Sequence, residues 1–109
     1  MVTYRTMAVA GVMAVAAVTA AAQEHPGAKV FATQKCSICH SVAGVGNKKL
    51  PLDAVGAKLS DAQIREWIVN APEAAKTANS TAKPVMKSYK LAPADLDALV
   101  GYMKSLDKK

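Results

Sequence analysis

The chain has 109 residues, of which 51% are hydrophobic and 20% are charged, so it forms one domain at most. Its 14 lysines and arginines against 8 acidic residues give a net charge of +6. A basic balance can indicate nucleic-acid binding, but the chain has no arginine-rich tract and no aromatic stacking platform. We therefore expect a small cationic protein that meets acidic protein partners and binds no nucleic acid.

Residues 1–22 have the features of a secretory signal peptide. One cation, Arg5, precedes an apolar stretch at residues 7–22 that ends in small alanines. This stretch of 16 residues is shorter than the roughly 20 that span a bilayer, which disfavours a retained membrane anchor. We predict export to the periplasm, cleavage after Ala22 and a mature domain at residues 23–109 with no stable membrane insertion.

A predicted helix over residues 26–35 leads into the motif Cys36-Ser37-Ile38-Cys39-His40. Two thiols three positions apart can bond to the two vinyl groups on one edge of a porphyrin, and the next histidine can ligate the iron. Cys-x-x-Cys alone would also fit thioredoxin-like chemistry or half of a zinc site, but the adjacent histidine favours c-type haem. We therefore predict one covalent haem per chain, on Cys36 and Cys39, with His40 as iron ligand.

The middle of the chain is less regular. Glycines, Asn47 and Pro51 interrupt residues 41–56, which predicts an irregular loop. Ser60-Asp61-Ala62-Gln63 has the spacing of a capping box and predicts a helix that ends before Pro72. For residues 73–83 the small, polar and lysine-containing sequence suggests either a short helical turn or a loop.

The last predicted helix begins near Pro93, a residue that is well tolerated in the first turn. Apolar side chains then recur at helical spacing and form one stripe: Leu96, Leu99, Val100, Met103 and Leu106. No segment has a convincing strand pattern, so the expected fold class is all-α.

Two methionines remain after cleavage, Met86 and Met103, and either could supply a thioether to the iron. Met103 lies on the apolar stripe of the last helix, where a core role explains it. Met86 lies in Lys83-Pro84-Val85-Met86-Lys87, which has no apolar stripe. We predict Met86 as the sixth ligand, with a surface or gap-filling role as the alternative.

These features together resemble the small, monohaem class I bacterial cytochromes c. The resemblance extends from Gly27 to Leu106 and rests on an ordered set of segments: Gly27 and Phe31, the Cys36-to-His40 motif, Pro51-Leu52-Asp53-Ala54-Val55-Gly56, Trp67, Lys83-Pro84-Val85-Met86, and Asp97-Ala98-Leu99-Val100-Gly101-Tyr102. It implies helices wrapped around one covalently bound haem, with the N- and C-terminal helices crossing. Val85 departs from the family pattern, in which many members have a second proline before the methionine.

The resemblance also implies roles for residues around the haem. Cys36 and Cys39 would carry the thioether bonds, with His40 and Met86 as axial ligands. The carbonyl of Pro51 would accept the proton on the other nitrogen of His40, although Pro51 could instead be only a turn residue. Trp67 would donate to a haem propionate, a role compatible with a place in the core. Gly27 and Phe31 would contact Leu99 and Tyr102.

The predicted function is one-electron transfer between redox proteins by a monomeric periplasmic carrier that is not an enzyme. Lysines flank the expected haem segments and could orient acidic redox partners: Lys35, Lys48, Lys49, Lys83, Lys87 and Lys90. The alternatives are a haem c subunit of a larger periplasmic oxidoreductase and, from another class, an enzyme or gas sensor with an open iron. The second histidine, His25, is expected to be exposed to solvent.

Overall fold

The structure is a computed structural model that describes Gly11 and residues 24–108. The described helices are α1 (Pro26–Thr33), α2 (Val55–Lys58), α3 (Asp61–Val69), α4 (Ala71–Thr77) and α5 (Pro93–Ser105). A 3-10 turn covers Cys36–Ile38, and strands β1 (Ser41–Val42) and β2 (Val45–Gly46) form one small antiparallel hairpin. The all-α class is confirmed, whereas the predicted signal peptide lies outside the described residues apart from Gly11.

Helices α1 and α5 cross closely, as expected. At the crossing, a Cβ atom on Gly27 would lie 2.8 Å from the carbonyl carbon of Ala98 and would overlap its oxygen. Phe31 meets Tyr102 edge-on, with 5.9 Å between the ring centroids. Glycine therefore allows a backbone approach that no other residue would permit, and the aromatic pair fills the space beside it.

His25 is half-buried rather than exposed, so the expectation for this residue was wrong. Its Nδ1 accepts a hydrogen bond of 3.0 Å from the backbone amide of Gly27, which caps the start of α1. Its ring also lies 5.4 Å from that of Tyr102. The imidazole is held at the helix crossing by a cap and a ring contact that sequence periodicity does not reveal.

The hydrophobic core lies between α1, α3 and α5. Its buried side chains are Val30, Phe31, Ile64, Ile68, Leu99, Val100 and Met103. The core role predicted for Met103 is therefore confirmed, since its side chain is only 6% exposed. The predicted last helix is confirmed as well, with Ala92 before it and Pro93 in its first turn.

The capping box of α3 is confirmed. The amide of Gln63 donates to Ser60 Oγ at 3.2 Å, and the amide of Ser60 donates to Gln63 Oε1 at 2.9 Å. Helix α3 ends at Val69, and α4 begins two residues later with Pro72 in its first turn. Part of the segment left open between turn and loop is thus helical, up to Thr77.

The loop over residues 41–56 contains more regular structure than expected, namely the hairpin and the first part of α2. Backbone groups tie its far end to the C-terminus. The amide of Gly56 donates to the carbonyl of Leu106 at 2.7 Å, and the amide of Lys108 donates to that of Asp53 at 3.0 Å. Lys104 Nζ donates to the carbonyls of Gly56 and Leu59 at the end of α2, at 2.9 and 3.0 Å. Among the described residues, no helix is long and apolar enough to cross a membrane.

Candidate functional site

The Cys-x-x-Cys-His motif lies on a tight turn directly after α1. Lys35 adopts a left-handed conformation with φ of 58°, so the chain changes direction after α1 and enters the 3-10 turn. The amides of Cys39 and His40 both donate to the carbonyl of Cys36, at 3.2 and 3.0 Å. The turn therefore brings two cysteines and one histidine into a compact group, with Cys36 half-buried and Cys39 exposed.

The ring of His40 is oriented by a backbone carbonyl. Its Nδ1 lies 3.1 Å from the carbonyl oxygen of Leu50. Because a carbonyl can only accept, Nδ1 must carry the proton, and Nε2 is then the ring nitrogen with a free lone pair. A histidine that donates one nitrogen to a carbonyl and offers the other to a metal is the common arrangement in metal sites.

The family resemblance implied the carbonyl of Pro51 at this place, with a turn residue as the alternative. The carbonyl of Leu50 lies there instead, so the implied role is corrected by one residue. A parallel bridge pairs Pro51 with Ser41, in which the amide of Ser41 faces the carbonyl of Leu50 at 3.4 Å and the amide of Leu52 donates to the carbonyl of Ser41 at 2.9 Å. In such a bridge, the groups that face the partner belong to the residues on either side of Pro51. Leu50 is therefore placed beside His40.

A second group of contacts, which the sequence analysis missed, folds the hairpin back over the motif. The amide of Asn47 lies within hydrogen-bonding distance of the carbonyls of Ser37 and His40, at 3.0 and 3.1 Å, and its side-chain amide donates to the carbonyl of Ile38 at 3.0 Å. Gly46 has φ of 106°, and a Cβ atom there would overlap the carbonyl oxygen of His40. Gly46 and Asn47 indicate a break in regular structure in the sequence, but the sequence does not show which carbonyls Asn47 contacts.

Asp53 is a further residue that sequence reasoning missed. Its Oδ1 accepts a hydrogen bond of 2.7 Å from the amide of Ala43, which has φ of 51° in the turn of the hairpin. Its backbone carbonyl also receives the amide of Lys108. Asp53 therefore links the hairpin beside the motif to the C-terminus of the chain.

The segment that contains Met86 approaches the motif from the other side. Residues 78–92 connect α4 to α5 without helix or strand, and Met86 is half-buried within them. A cavity of about 200 Å³ lies between this segment and the motif. Its lining consists of Cys39, Asn47, Lys49 and Leu50 on one side and Ala82, Lys83 and Pro84 on the other.

Two groups at or near the motif, Cys36 and Tyr89, have raised pKa values. Burial raises the pKa of the Cys36 thiol above its ordinary value of 9.0; a backbone hydrogen bond offsets part of the rise, and Cys39 adds to it. Burial, followed by the charges of Cys36 and Cys39, also raises the pKa of Tyr89. Because reactive cysteines of thioredoxin-like proteins have lowered pKa values, Cys36 differs from such a redox pair.

The donor set fits a c-type haem. Two free thiols lie one turn apart, and the adjacent His40 has one ring nitrogen committed to Leu50 and the other available to a metal. Outside the buried core, further apolar side chains are half-buried and pack against it: Val42, Leu52, Val55, Leu59, Tyr89 and Leu91. Trp67 is half-buried on α3, and its contact with a propionate stays a prediction.

Residues 25–107 match the family model of cytochrome c, so the chain belongs to the cytochrome c family. No curated protein and no solved structure matches the chain. Family membership establishes a haem-binding electron carrier with covalently bound haem c. The bound haem supplies an iron that takes up and releases one electron at a time.

Proposed function

We propose that this protein is a periplasmic one-electron carrier in which Cys36 and Cys39 hold the haem and His40 and Met86 ligate its iron. Cys36 and Cys39 are the only cysteines of the chain, so two thioether bonds require both. The observation that carries the ligand assignment is the placement of Met86, which is half-buried in a segment whose residues 82–84 line a cavity together with Cys39.

Met86 is the better candidate of the two methionines that follow the predicted cleavage site. Met103 is packed in the core between helices and is only 6% exposed. Met86 is half-buried although both its neighbours, Val85 and Lys87, are exposed. A methionine that turns inward from an exposed segment beside the motif is poorly explained by core packing, and thioether ligation accounts for it.

Each protein ligand has a role in electron transfer. The hydrogen bond from His40 Nδ1 to the Leu50 carbonyl keeps the orientation of the ring and raises its basicity. Met86 would occupy the position that oxygen or peroxide needs, and its soft sulfur favours the reduced state. Two ligands that stay bound leave little to rearrange, which suits a shuttle rather than an enzyme.

The ligand assignment is tested by absorption spectroscopy of the exported ferric protein. Wild type should show the weak red band of a sulfur-to-iron bond, and Met86→Ala should abolish it while the covalent haem remains. Met103→Leu is the matched control and should keep the band, since Met103 lies in the core. Ready binding of carbon monoxide to the ferrous wild type would instead favour an open-iron enzyme or sensor.

The proposed partners are acidic redox proteins. The lysines that flank the haem segments are all exposed: Lys35, Lys48, Lys49, Lys83, Lys87 and Lys90. Electrostatic steering of this kind accelerates encounter and weakens as salt rises.

We expect oxidation by an acidic partner to slow as ionic strength rises. Lys49→Glu should slow it more than Lys58→Glu, because Lys49 lines the cavity beside Cys39 whereas Lys58 ends α2. Equal effects of the two variants would contradict a specific docking surface.

Export is supported by the pattern of residues 1–22. A fusion that carries this segment should deliver a shortened, haem-bearing protein to the periplasm, and mass spectrometry would locate the cleavage site. Recovery of the haem protein only within a stable complex with other subunits would favour the role of an oxidoreductase subunit over that of a free carrier.

A further inference from the structure

Two hydrogen bonds attach the methionine segment to the junction between α3 and α4. The amide of Ala71 donates to Ser88 Oγ at 3.1 Å, and the amide of Tyr89 donates to the carbonyl of Ile68 at 2.8 Å. Both contacts join residues far apart in the chain, and both lie within three residues of Met86. They are the described hydrogen bonds that connect residues 86–92 to α3 and α4.

The hydroxyl of Ser88 occupies a place that a helix cap usually fills. The first amides of a helix have no partner within it and are commonly satisfied by the side chain of the preceding residue. Here that residue is Asn70, whose side-chain amide donates to Glu66 Oε1 at 3.0 Å and makes no capping bond. Ala71 is 0% exposed although Ser88 is exposed, so in the fold the Ser88 hydroxyl is the acceptor for a buried amide.

We propose that Ser88 is a positioning residue that holds Met86 in place for the iron by supplying this acceptor. The inference rests on the proposed ligation by Met86 and deepens it. Two residues of extended chain span at most about 7 Å, so anchoring Ser88 restricts Met86 to a small volume. The ammonium of Lys87 lies 5.2 Å from the centre of the Tyr89 ring, which restrains the same stretch from its exposed side.

The functional consequence concerns ligand exchange at the iron. A methionine on a loop competes with any external ligand, and the outcome depends on how strongly the loop is held in the bound position. Loss of the Ser88 hydroxyl should leave the haem attached and His40 unaffected, because the thioether bonds and His40 belong to the motif at residues 36–40, far from Ser88 in the chain. Only the bond between Met86 and the iron should become easier to replace by an external ligand.

The test is an imidazole titration of the ferric holoprotein, followed through the red sulfur-to-iron band. Ser88→Ala should bind imidazole about threefold to tenfold more tightly than wild type, the range expected for one lost hydrogen bond. Ser88→Thr keeps the hydroxyl and should behave as wild type. Ser80→Ala is the matched control, since Ser80 Oγ accepts only within its own segment, from the amide of Ala82 at 3.3 Å.

A second measurement separates positioning from general loss of stability. Hydrogen exchange at the amide of Ala71 should accelerate in Ser88→Ala, while exchange at the core amides of α5 stays as in wild type. Unchanged imidazole affinity in Ser88→Ala, with the wild-type red band present, would refute the inference and leave ligation by Met86 standing. Absence of the band from wild type would overturn both.

Discussion

The crossing of α1 and α5 and the two segments around the haem motif are built on different principles. At the crossing, side chains are buried at regular helical spacing, and Gly27 lets the backbones touch. Around the motif, residues 41–54 and 78–92 are held by single hydrogen bonds to backbone carbonyls and side-chain hydroxyls, in addition to half-buried side chains such as Val42 and Tyr89. Burial of side chains stabilises the helix crossing. Hydrogen bonds from irregular segments instead position the residues around the motif.

The difference shows where the protein can tolerate change. A covalently bound haem cannot leave, so the surrounding loops are not needed to retain it and can serve to orient side chains. Their contacts are few and each is specific, as for the Leu50 carbonyl at His40. We therefore expect substitutions at the crossing to lower the stability of the whole domain, and substitutions in the loops to act locally.

The largest effect is expected for Gly27→Val. A side chain there would overlap the backbone of Ala98 and separate α1 from α5, which should lower the free energy of unfolding of the haem-loaded protein by about 3 kcal/mol. Denaturant unfolding followed by circular dichroism measures it. Gly101→Ala is the control on α5, because its Cβ would meet only His25, at 3.7 Å. It should be neutral or stabilising by about 0.5–1 kcal/mol. Similar losses in both variants would argue against a close crossing.

Much of the crossing was readable in the sequence. Helices with buried stripes follow from apolar spacing, so α3 and α5 and the core position of Met103 were predicted from the residues alone. The contact of Gly27 with α5 was expected from the family resemblance. The cap by His25 was missed because a single imidazole before Pro26 belongs to no periodic pattern.

The residues of the motif could also be predicted from the sequence, but their hydrogen-bond partners could not. Spacing predicts Cys36, Cys39 and His40 as the haem-binding residues, because the chemistry of the cofactor requires two thiols and an adjacent ligand, and family membership agrees with a covalent haem. The partners of the motif lie 7 to 10 residues away, as for His40 with Asn47 and with Leu50. Backbone carbonyls have no residue identity, so the residues alone do not distinguish Leu50 from Pro51, whose carbonyl the family resemblance implied.

An intermediate effect is expected for Gly46→Ala in the hairpin. Its φ of 106° and the position of the His40 carbonyl both exclude a Cβ, so the turn over the motif must shift at a cost of about 2 kcal/mol. Gly44→Ala is the matched comparison in the same hairpin: φ is 79°, but a Cβ there would meet nothing within 4 Å. It should cost only about 1 kcal/mol, the strain of the left-handed backbone. Unfolding midpoints of the two haem-loaded variants give the comparison, and equal midpoints would mean that contact with the motif contributes nothing.

The smallest effect concerns alkaline pH and returns to the helix crossing. Burial raises the pKa of Tyr102 above its ordinary value of 10.0, and the charges of Glu24 and Asp53 raise it further. The unfolded chain therefore releases this proton at a lower pH than the folded protein does, so its contribution to stability is complete below pH 10 and is lost as pH rises through the higher folded pKa. Tyr102→Phe has no such proton. Its stability should match that of wild type near neutral pH and fall less steeply above pH 10, as measured by denaturant unfolding across that range. Parallel curves for the two proteins would show that the phenol is as accessible to solvent in the fold as in the unfolded chain, and would place the tight part of the crossing nearer Gly27 than Tyr102.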